Sequence, residues 1–260
     1  MQKIGKVEKY IQDKIAKEGA VLVILIDPCD YQSPQKAIET AVLASKAGVD
    51  VISIGGSTEA QGQLLDEVTK GIKEKIKTPT LLFPGNIATI SSYADAIMFM
   101  SLLNSRNPYW ISQAQMLAAP VIRKSKIEPI PIGYILVSPG GTAGWVGDAN
   151  LIPRNKPKIA SALALSAEYS GQRMVYTDVG SASPEHVPLE MISMVSKTIS
   201  VPYIVGGGIK NPEQAGKVVE AGADVLFVGT AAENSKDVKK LVGEFVKIIK
   251  EKGKEKLKNK

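Results

Sequence analysis

Residues 201–230 read VPYIVGGGIKNPEQAGKVVEAGADVLFVGT, two consecutive copies of one structural unit. The apolar run VPYIVGGGI (201–209) ends in glycines. Asn211-Pro212 then supplies a cap residue and a first-turn proline, the ordinary opening of a helix, before EQAGKVVEAG. A second apolar run, ADVLFVGT (223–230), ends on Gly229 and Thr230. Short, near-continuous apolar runs suit parallel strands buried on both faces, and their alternation with helices is the α/β pattern.

Moving outward, six more such runs precede this pair: VLVILIDP (21–28), VDVISIGGS (49–57), TPTLLFPGN (78–86), ADAIMFMSLL (94–103), PIPIGYILVSP (129–139) and RMVYTDVGS (173–181). Eight runs in a chain of 260 residues predict closure into a (β/α)8 TIM barrel, one domain over residues 1–260. An open, doubly wound sheet is the alternative. Its glycine fingerprint is missing after the first run, where Asp27-Pro28-Cys29-Asp30 stands instead.

Between the runs, helix signals fall where a barrel needs them. Ser33-Pro34 opens QKAIETAVLASKAG, and Gly48 stands where its terminal cap is expected. Ser183-Pro184 is read as the start of the sixth helix, EHVPLEMISMVSK, with His186 inside it in a structural role. The segment SKDVKKLVGEFVKIIKEK has the spacing of a docked amphipathic helix. The charged tail EKGKEKLKNK reads as its solvated, partly frayed end.

Two connections break the pattern. Only IATISSY (87–93) separates the third and fourth runs, whereas a parallel crossover needs at least about ten to twelve residues. Either a strand end is misplaced or the third outer helix is missing or replaced. The second reading is preferred, and it leaves a slot in the barrel wall lined by apolar side chains. The other exception is the long GGTAGWVGDANLIPRN loop between Pro139 and Lys156. It reads as a lid in which Trp145 covers a ligand, or as a structural excursion packed on the rim.

Composition removes several classes of function. One cysteine (Cys29) and one histidine (His186) exclude an intrachain disulfide and leave no Cys/His zinc site. Any metal is then a hard cation on oxygen ligands. Cys29 has no evident activating base and reads as a filler. No apolar run reaches the ~20 residues of a membrane span, and the opening MQKIGKVEKYIQDKIAKEG lacks a signal-peptide core. A soluble, cytoplasmic protein without a membrane anchor is expected. The net charge of +6 comes without an aromatic–basic patch, so nucleic acid is not an expected partner.

In such barrels the reacting groups sit at the carboxyl ends of the strands. After the first two strands stand Asp27 and Ser57, oxygen donors suited to Mg²⁺. They also read as a turn former and a helix cap, and their place on adjacent strands favours the metal reading. After the sixth comes Tyr176-Thr177-Asp178-Val179-Gly180-Ser181-Ala182; after the seventh, Gly206, Gly207 and Gly208; after the eighth, Gly229 and Thr230. Backbone N–H groups in these turns form a phosphate cradle. Asp178 stands where a base reaches the bound molecule. The other reading of Asp178 is an N-cap or an ion-pair partner.

Over nearly the whole chain the sequence resembles the geranylgeranylglyceryl phosphate synthase family. The most specific stretches are LLNSRNPYWISQAQ (102–115), GYILVSPGGTAGWVG (133–147), IPRNKPKIA (152–160), YTDVGSAS (176–183) and the paired VGGGI and VLFVGT turns. The resemblance implies a modified barrel with its third helix replaced. It implies an Mg²⁺-dependent prenyltransferase of archaeal membrane phospholipid synthesis, joining the C3 hydroxyl of sn-glycerol 1-phosphate to geranylgeranyl diphosphate with release of diphosphate. On that basis Asp27 and Ser57 hold the metal, Asp178 is the catalytic base, and Tyr176 to Ala182, Gly207, Gly208, Gly229 and Thr230 hold glycerol phosphate. The prenyl tail lies in the slot, where Tyr109 and Trp110 either line it or pack the fourth helix. The family implies a homo-oligomer, dimer or hexamer, with transient membrane contact for loading.

This chain departs from the family pattern at three places: Asp178 where members often carry Glu, Ser138 where many carry Glu, and Ala182 where glycine is usual. The competing readings are a longer prenyl donor, another phosphate-binding barrel enzyme and a non-catalytic binding barrel.

Overall fold

A computed structural model of the protein describes residues 4–259. Expectations for residues 1–3 and 260 lie outside the described residues. Eight parallel strands form a closed barrel in sequence order. They are β1 (Val21–Ile26), β2 (Val51–Ile54), β3 (Thr80–Leu82), β4 (Ala96–Leu102), β5 (Glu128–Leu136), β6 (Met174–Asp178), β7 (Tyr203–Gly206) and β8 (Val225–Val228). Each overlaps one of the eight apolar runs. Closure is made by β8 pairing with β1, Val21 opposite Val225 and Ile24 opposite Val228.

Strand side chains alternate between the two faces, and this divides the core in two. Val21, Val23, Val51, Leu81, Met98 and Ile204 fill the barrel interior. Their sequence neighbours Leu22, Ile24, Ile52, Leu82, Ile97 and Val205 face outward and pack under the helices. Both faces are therefore apolar, which is why the strands read as continuous runs.

The helices are α1 (Lys6–Glu18), α2 (Pro34–Lys46), α3 (Gly62–Lys73), α4 (Ala114–Ser125), α5 (Gly141–Val146), α6 (Pro157–Tyr169), α7 (Leu189–Thr198), α8 (Pro212–Glu220), α9 (Thr230–Glu233) and α10 (Val238–Lys258). The caps read from sequence hold at α2 and α8, where Ser33 Oγ accepts from Lys36 N and Asn211 Oδ1 from Gln214 N. Residues 83–95, between β3 and β4, carry no helix, so the third outer helix is missing as expected. α1 joins the interior core through Val7 and Ile11. It is tied to the amino-terminal ends of β5 and β6: Glu128 accepts from the N–H groups of Val7 and Glu8, and Arg173 pairs with the buried Glu8.

Three local expectations are corrected. α7 begins at Leu189, not after Ser183-Pro184, so His186 lies in the preceding loop with Nδ1 against Val187 O. The long loop is not structureless: α5 occupies its first half, and Ile152 bridges back to Val137. The lysine-rich tail is not frayed over its described residues, 251–259. α10 runs to Lys258 because its cations find carboxylates: Lys250 meets Glu18 and the buried Asp50, Lys252 meets Glu220, and Lys256 meets Asp224. Gly253 lets α10 cross the end of α1 closely, since a Cβ there would stand 2.3 Å from Glu18 O.

Candidate active site

A cavity of about 590 Å³ opens at the carboxyl ends of the strands. One end is an arc of turns. Ser181 and Ala182 after β6, Gly207 and Gly208 after β7, and Gly229 and Thr230 after β8 all line it. Gly207 has φ +77°, and a Cβ there would press 2.6 Å from Asp178 Oδ1. Only glycine lets the β7 turn lie this close to the acid.

The opposite end is apolar. Ile87 and Ile90 of the helix-free crossover, Phe99 of β4, and Ala118 and Ile122 of α4 line it. The absent helix leaves this wall open, as the short crossover implied. A π-helical turn, Tyr109–Gln113, precedes α4. Trp110 lines the cavity, whereas Tyr109 lies outside the lining and meets the Trp110 ring edge-on at 4.9 Å. One ring therefore lines the slot and the other packs it.

Asp178 closes β6 between these two ends, 6% exposed. Its Oδ2 accepts from the Tyr134 hydroxyl at 2.7 Å and its Oδ1 from Gly180 N at 2.8 Å. It is neither an N-cap nor an ion-pair member. Burial raises its pKa above the usual carboxylate value, opposed by the Tyr134 hydroxyl and the N–H groups of Gly180 and Val179. Tyr134 and Tyr176 sit in an aromatic cluster with Phe83 and Phe227, with centroids 5.1–5.9 Å apart. The phenol of Tyr134, pushed far up by burial and by Asp178, stays protonated and donates.

Asp27 and Ser57 line the cavity beyond β8, as do Asp30 and Glu233. Asp27 Oδ1 accepts from Cys29 N at 3.0 Å, so its turn-forming role is real. The helix-cap reading of Ser57 fails: α3 starts at Gly62, with Gln61 before it. Burial, together with the neighbouring acids Asp30 and Glu59, raises Asp27 to about 6. Burial, Asp30 and Asp27 raise Glu233 to about 7. Crowded carboxylates with raised pKa values suit a hard divalent cation. Among the described residues no cluster of three or more Asp, Glu, His or Cys ligands forms. Asp27 and Asp30 line the cavity, and one or two carboxylates are what Mg²⁺ takes from a protein beside water and substrate phosphates. Cys29, pushed up to about 11 by desolvation and Asp27, is a poor nucleophile, as read from sequence.

Three residues expected at the substrate lie outside the cavity lining. Thr177 faces away along the strand, its hydroxyl 2.6 Å from that of Tyr203. Val179 is buried in the outer core, and Gly180 backs onto Gly140 and Gly141. Tyr176, Asp178, Ser181 and Ala182 do line it. Trp145 is 89% exposed and is not a lining residue. The α5 segment contributes Ala143, Val146 and Gly147 instead, and packs on the rim through Gly140 N to Val179 O. The reading of a structural excursion packed on the rim holds, and the segment lines the cavity without Trp145 covering it. Sequence reasoning missed Tyr134, Glu233 and Lys210. Tyr134 was signalled only by its inward position on β5, two residues from Leu136, which pairs with Asp178.

Comparison with known proteins agrees with this geometry. Residues 13–249 match the PcrB family. The geranylgeranylglyceryl phosphate synthase of Thermococcus sibiricus is 54% identical over 90% of this chain and 91% of its own. That of Pyrococcus furiosus is 54% identical over 90% and 92%. The crystal structure of (S)-3-O-geranylgeranylglyceryl phosphate synthase from Thermoplasma acidophilum, in complex with its substrate sn-glycerol-1-phosphate, superposes with a TM-score of 0.90 at 40% identity, covering 96% of this chain and all of that one. With a helix-deficient barrel, a two-ended cavity and these relatives, the chain belongs to the PcrB family, as a member of the geranylgeranylglyceryl phosphate synthases.

Proposed function

We propose that this protein forms the ether bond between the C3 hydroxyl of sn-glycerol 1-phosphate and geranylgeranyl diphosphate, releasing diphosphate, in the synthesis of archaeal membrane phospholipids. The observation that carries this reading is the single cavity with a glycine-lined arc at one end, an apolar slot at the other and Asp178 between them. A short phosphorylated alcohol and a long apolar donor require that division.

The arc of turns from β6 to β8 holds the acceptor's phosphate by backbone N–H groups. The slot holds the prenyl tail and excludes water from the allylic carbon. Tyr134 and Gly180 N fix the Asp178 carboxylate so that it takes the C3 hydroxyl proton as that oxygen attacks. The new C–O bond forms as the bond to diphosphate breaks, and the electron pair leaves with diphosphate. Held with their reacting ends aligned, two substrates lose the orientational part of the barrier. Asp27 and Ser57 would hold Mg²⁺, which supplies charge neutralisation for the leaving diphosphate. On this reading the protein works in the cytoplasm as a homo-oligomer, dimer or hexamer, and meets membranes only transiently. Among the described residues no helix is long and apolar enough to cross one.

The test is incorporation of label from sn-glycerol 1-phosphate into an organic-extractable product, using a series of prenyl diphosphates with and without Mg²⁺. Metal-dependent product, greatest with the geranylgeranyl donor, supports the proposal. Greatest turnover with a longer donor would correct the donor, and ligand binding without turnover by any donor would leave a binding barrel.

A further inference from the structure

The wall of the cavity is unbalanced in charge. Four carboxylates line it, Asp27, Asp30, Asp178 and Glu233, and Lys210 is the one cationic side chain among the described lining residues. Yet both substrates of the proposed reaction are anions at their polar ends. Backbone N–H groups give a phosphate directional hydrogen bonds but no formal countercharge. The carboxylates, meanwhile, make the potential at this rim unfavourable for a dianion.

Lys210 follows Gly207, Gly208 and Ile209 at the end of β7, between the β6 loop and the β8 turn. Its backbone N–H donates to Gln214 Oε1 at 2.8 Å, which fixes the main chain at the mouth of the cavity. The side chain is exposed, and its ammonium has no ion-pair or hydrogen-bond partner among the described residues. Other exposed lysines, Lys17 and Lys46 among them, are unpaired as well, but Lys210 alone among the described lysines and arginines lines the cavity. A cation left unpaired at the rim of an acid-lined cavity is placed for a ligand.

Closed barrel order also decides which anion. β7 lies four strands from β3, whose connection to β4 forms the apolar slot, and β8 separates it from the Asp27 end of β1. The donor's diphosphate belongs toward Asp27 and Ser57, and the arc around Lys210 belongs to the acceptor. Resting on the function proposed above, we infer that Lys210 binds the phosphate monoester of the acceptor and sets selectivity for a phosphorylated over an unphosphorylated glycerol. A lysine suits this as a point charge on a flexible stem, where the turns already supply directionality.

The experiment pairs steady-state kinetics with calorimetric titration of sn-glycerol 1-phosphate, without prenyl donor, for wild type, Lys210→Gln and Lys210→Arg. Loss of one charge-assisted contact predicts a rise of about 10- to 100-fold in Kd and KM for sn-glycerol 1-phosphate in Lys210→Gln. The KM for prenyl diphosphate stays at the wild-type value, and Lys210→Arg recovers most of the affinity. Wild type that binds and turns over, with Lys210→Gln binding equally well, would overturn the role of Lys210 alone. A shift confined to the prenyl diphosphate KM would overturn its assignment to the monoester. Wild type that fails to bind sn-glycerol 1-phosphate would overturn the functional reading itself, and this inference with it.

Discussion

Asp178 is held by two donors in a place where its charge is costly. Its folded-state pKa lies above the unfolded value, with burial as the first cause. Its favourable contribution to stability is therefore full at low pH and lost as pH rises through the folded value. Asp178→Asn removes a buried charge, so the variant should melt above wild type at pH 7. The gain should shrink to nothing below about pH 4. Its turnover should fall by about 10²- to 10⁴-fold. A lower melting temperature than wild type at neutral pH, followed by circular dichroism, would contradict the assignment of a desolvated carboxylate. Tyr134 opposes burial by donating to the same carboxylate. Tyr134→Phe should move the acid limb of the pH–rate profile to higher pH, and an unmoved limb would show that the hydroxyl does not tune the base. At Ala182, φ is +55°, a left-handed conformation that costs a residue with a Cβ roughly 1–2 kcal/mol. That is the physical sense of the family's usual glycine there.

At the scale of elements, the crossing of α1 and α10 carries a separate prediction. A Cβ on Gly253 would meet Glu18 O at 2.3 Å and Ala20 N at 2.8 Å, both backbone atoms of limited give. Gly253→Ala should cost about 1–3 kcal/mol by overpacking, with a fall in Tm of roughly 2–4 °C per kcal/mol. The crossing is at the far end of the barrel from the cavity, so the KM of either substrate should stay at its wild-type value. Strands and local caps were legible in the sequence because they depend on neighbours: β1 to β8 on apolar runs, α2 and α8 on Ser33 and Asn211. The same logic failed at Ser183-Pro184. The signal of a cap was present, but Arg154 reaches across to Glu185 and to His186 O and holds that stretch as a loop at the rim. The tail failed for the opposite reason. Its lysines looked solvated because Glu220 and Asp224, the partners of Lys252 and Lys256, are remote in sequence.

The molecule as a whole divides its substrates between two ends of one cavity, and much of that division was readable. Glycines after β6, β7 and β8 announced the polar end, and a crossover too short for a helix announced the apolar one. What the sequence hid was register and direction. Strand alternation turns Thr177 away from the cavity toward Tyr203, while β5–β6 pairing brings Tyr134 to Asp178 across 44 positions. Charge balance was hidden as well, since Asp30, Glu233 and Lys210 become one wall only when the barrel closes.

The most direct measurement is a crystal structure of the protein with sn-glycerol 1-phosphate, Mg²⁺ and a non-reactive geranylgeranyl thiodiphosphate. Phosphate should sit on the turns of Gly207, Gly208, Gly229 and Thr230, and the prenyl tail along Phe99, Ala118 and Ile122. The C3 oxygen should lie within about 2.6–3.2 Å of the Asp178 carboxylate, in reach of proton transfer. Glycerol phosphate seated away from those turns would refute them as the phosphate site, and a C3 oxygen out of reach of Asp178 while the donor carbon lies beside it would refute Asp178 as the base.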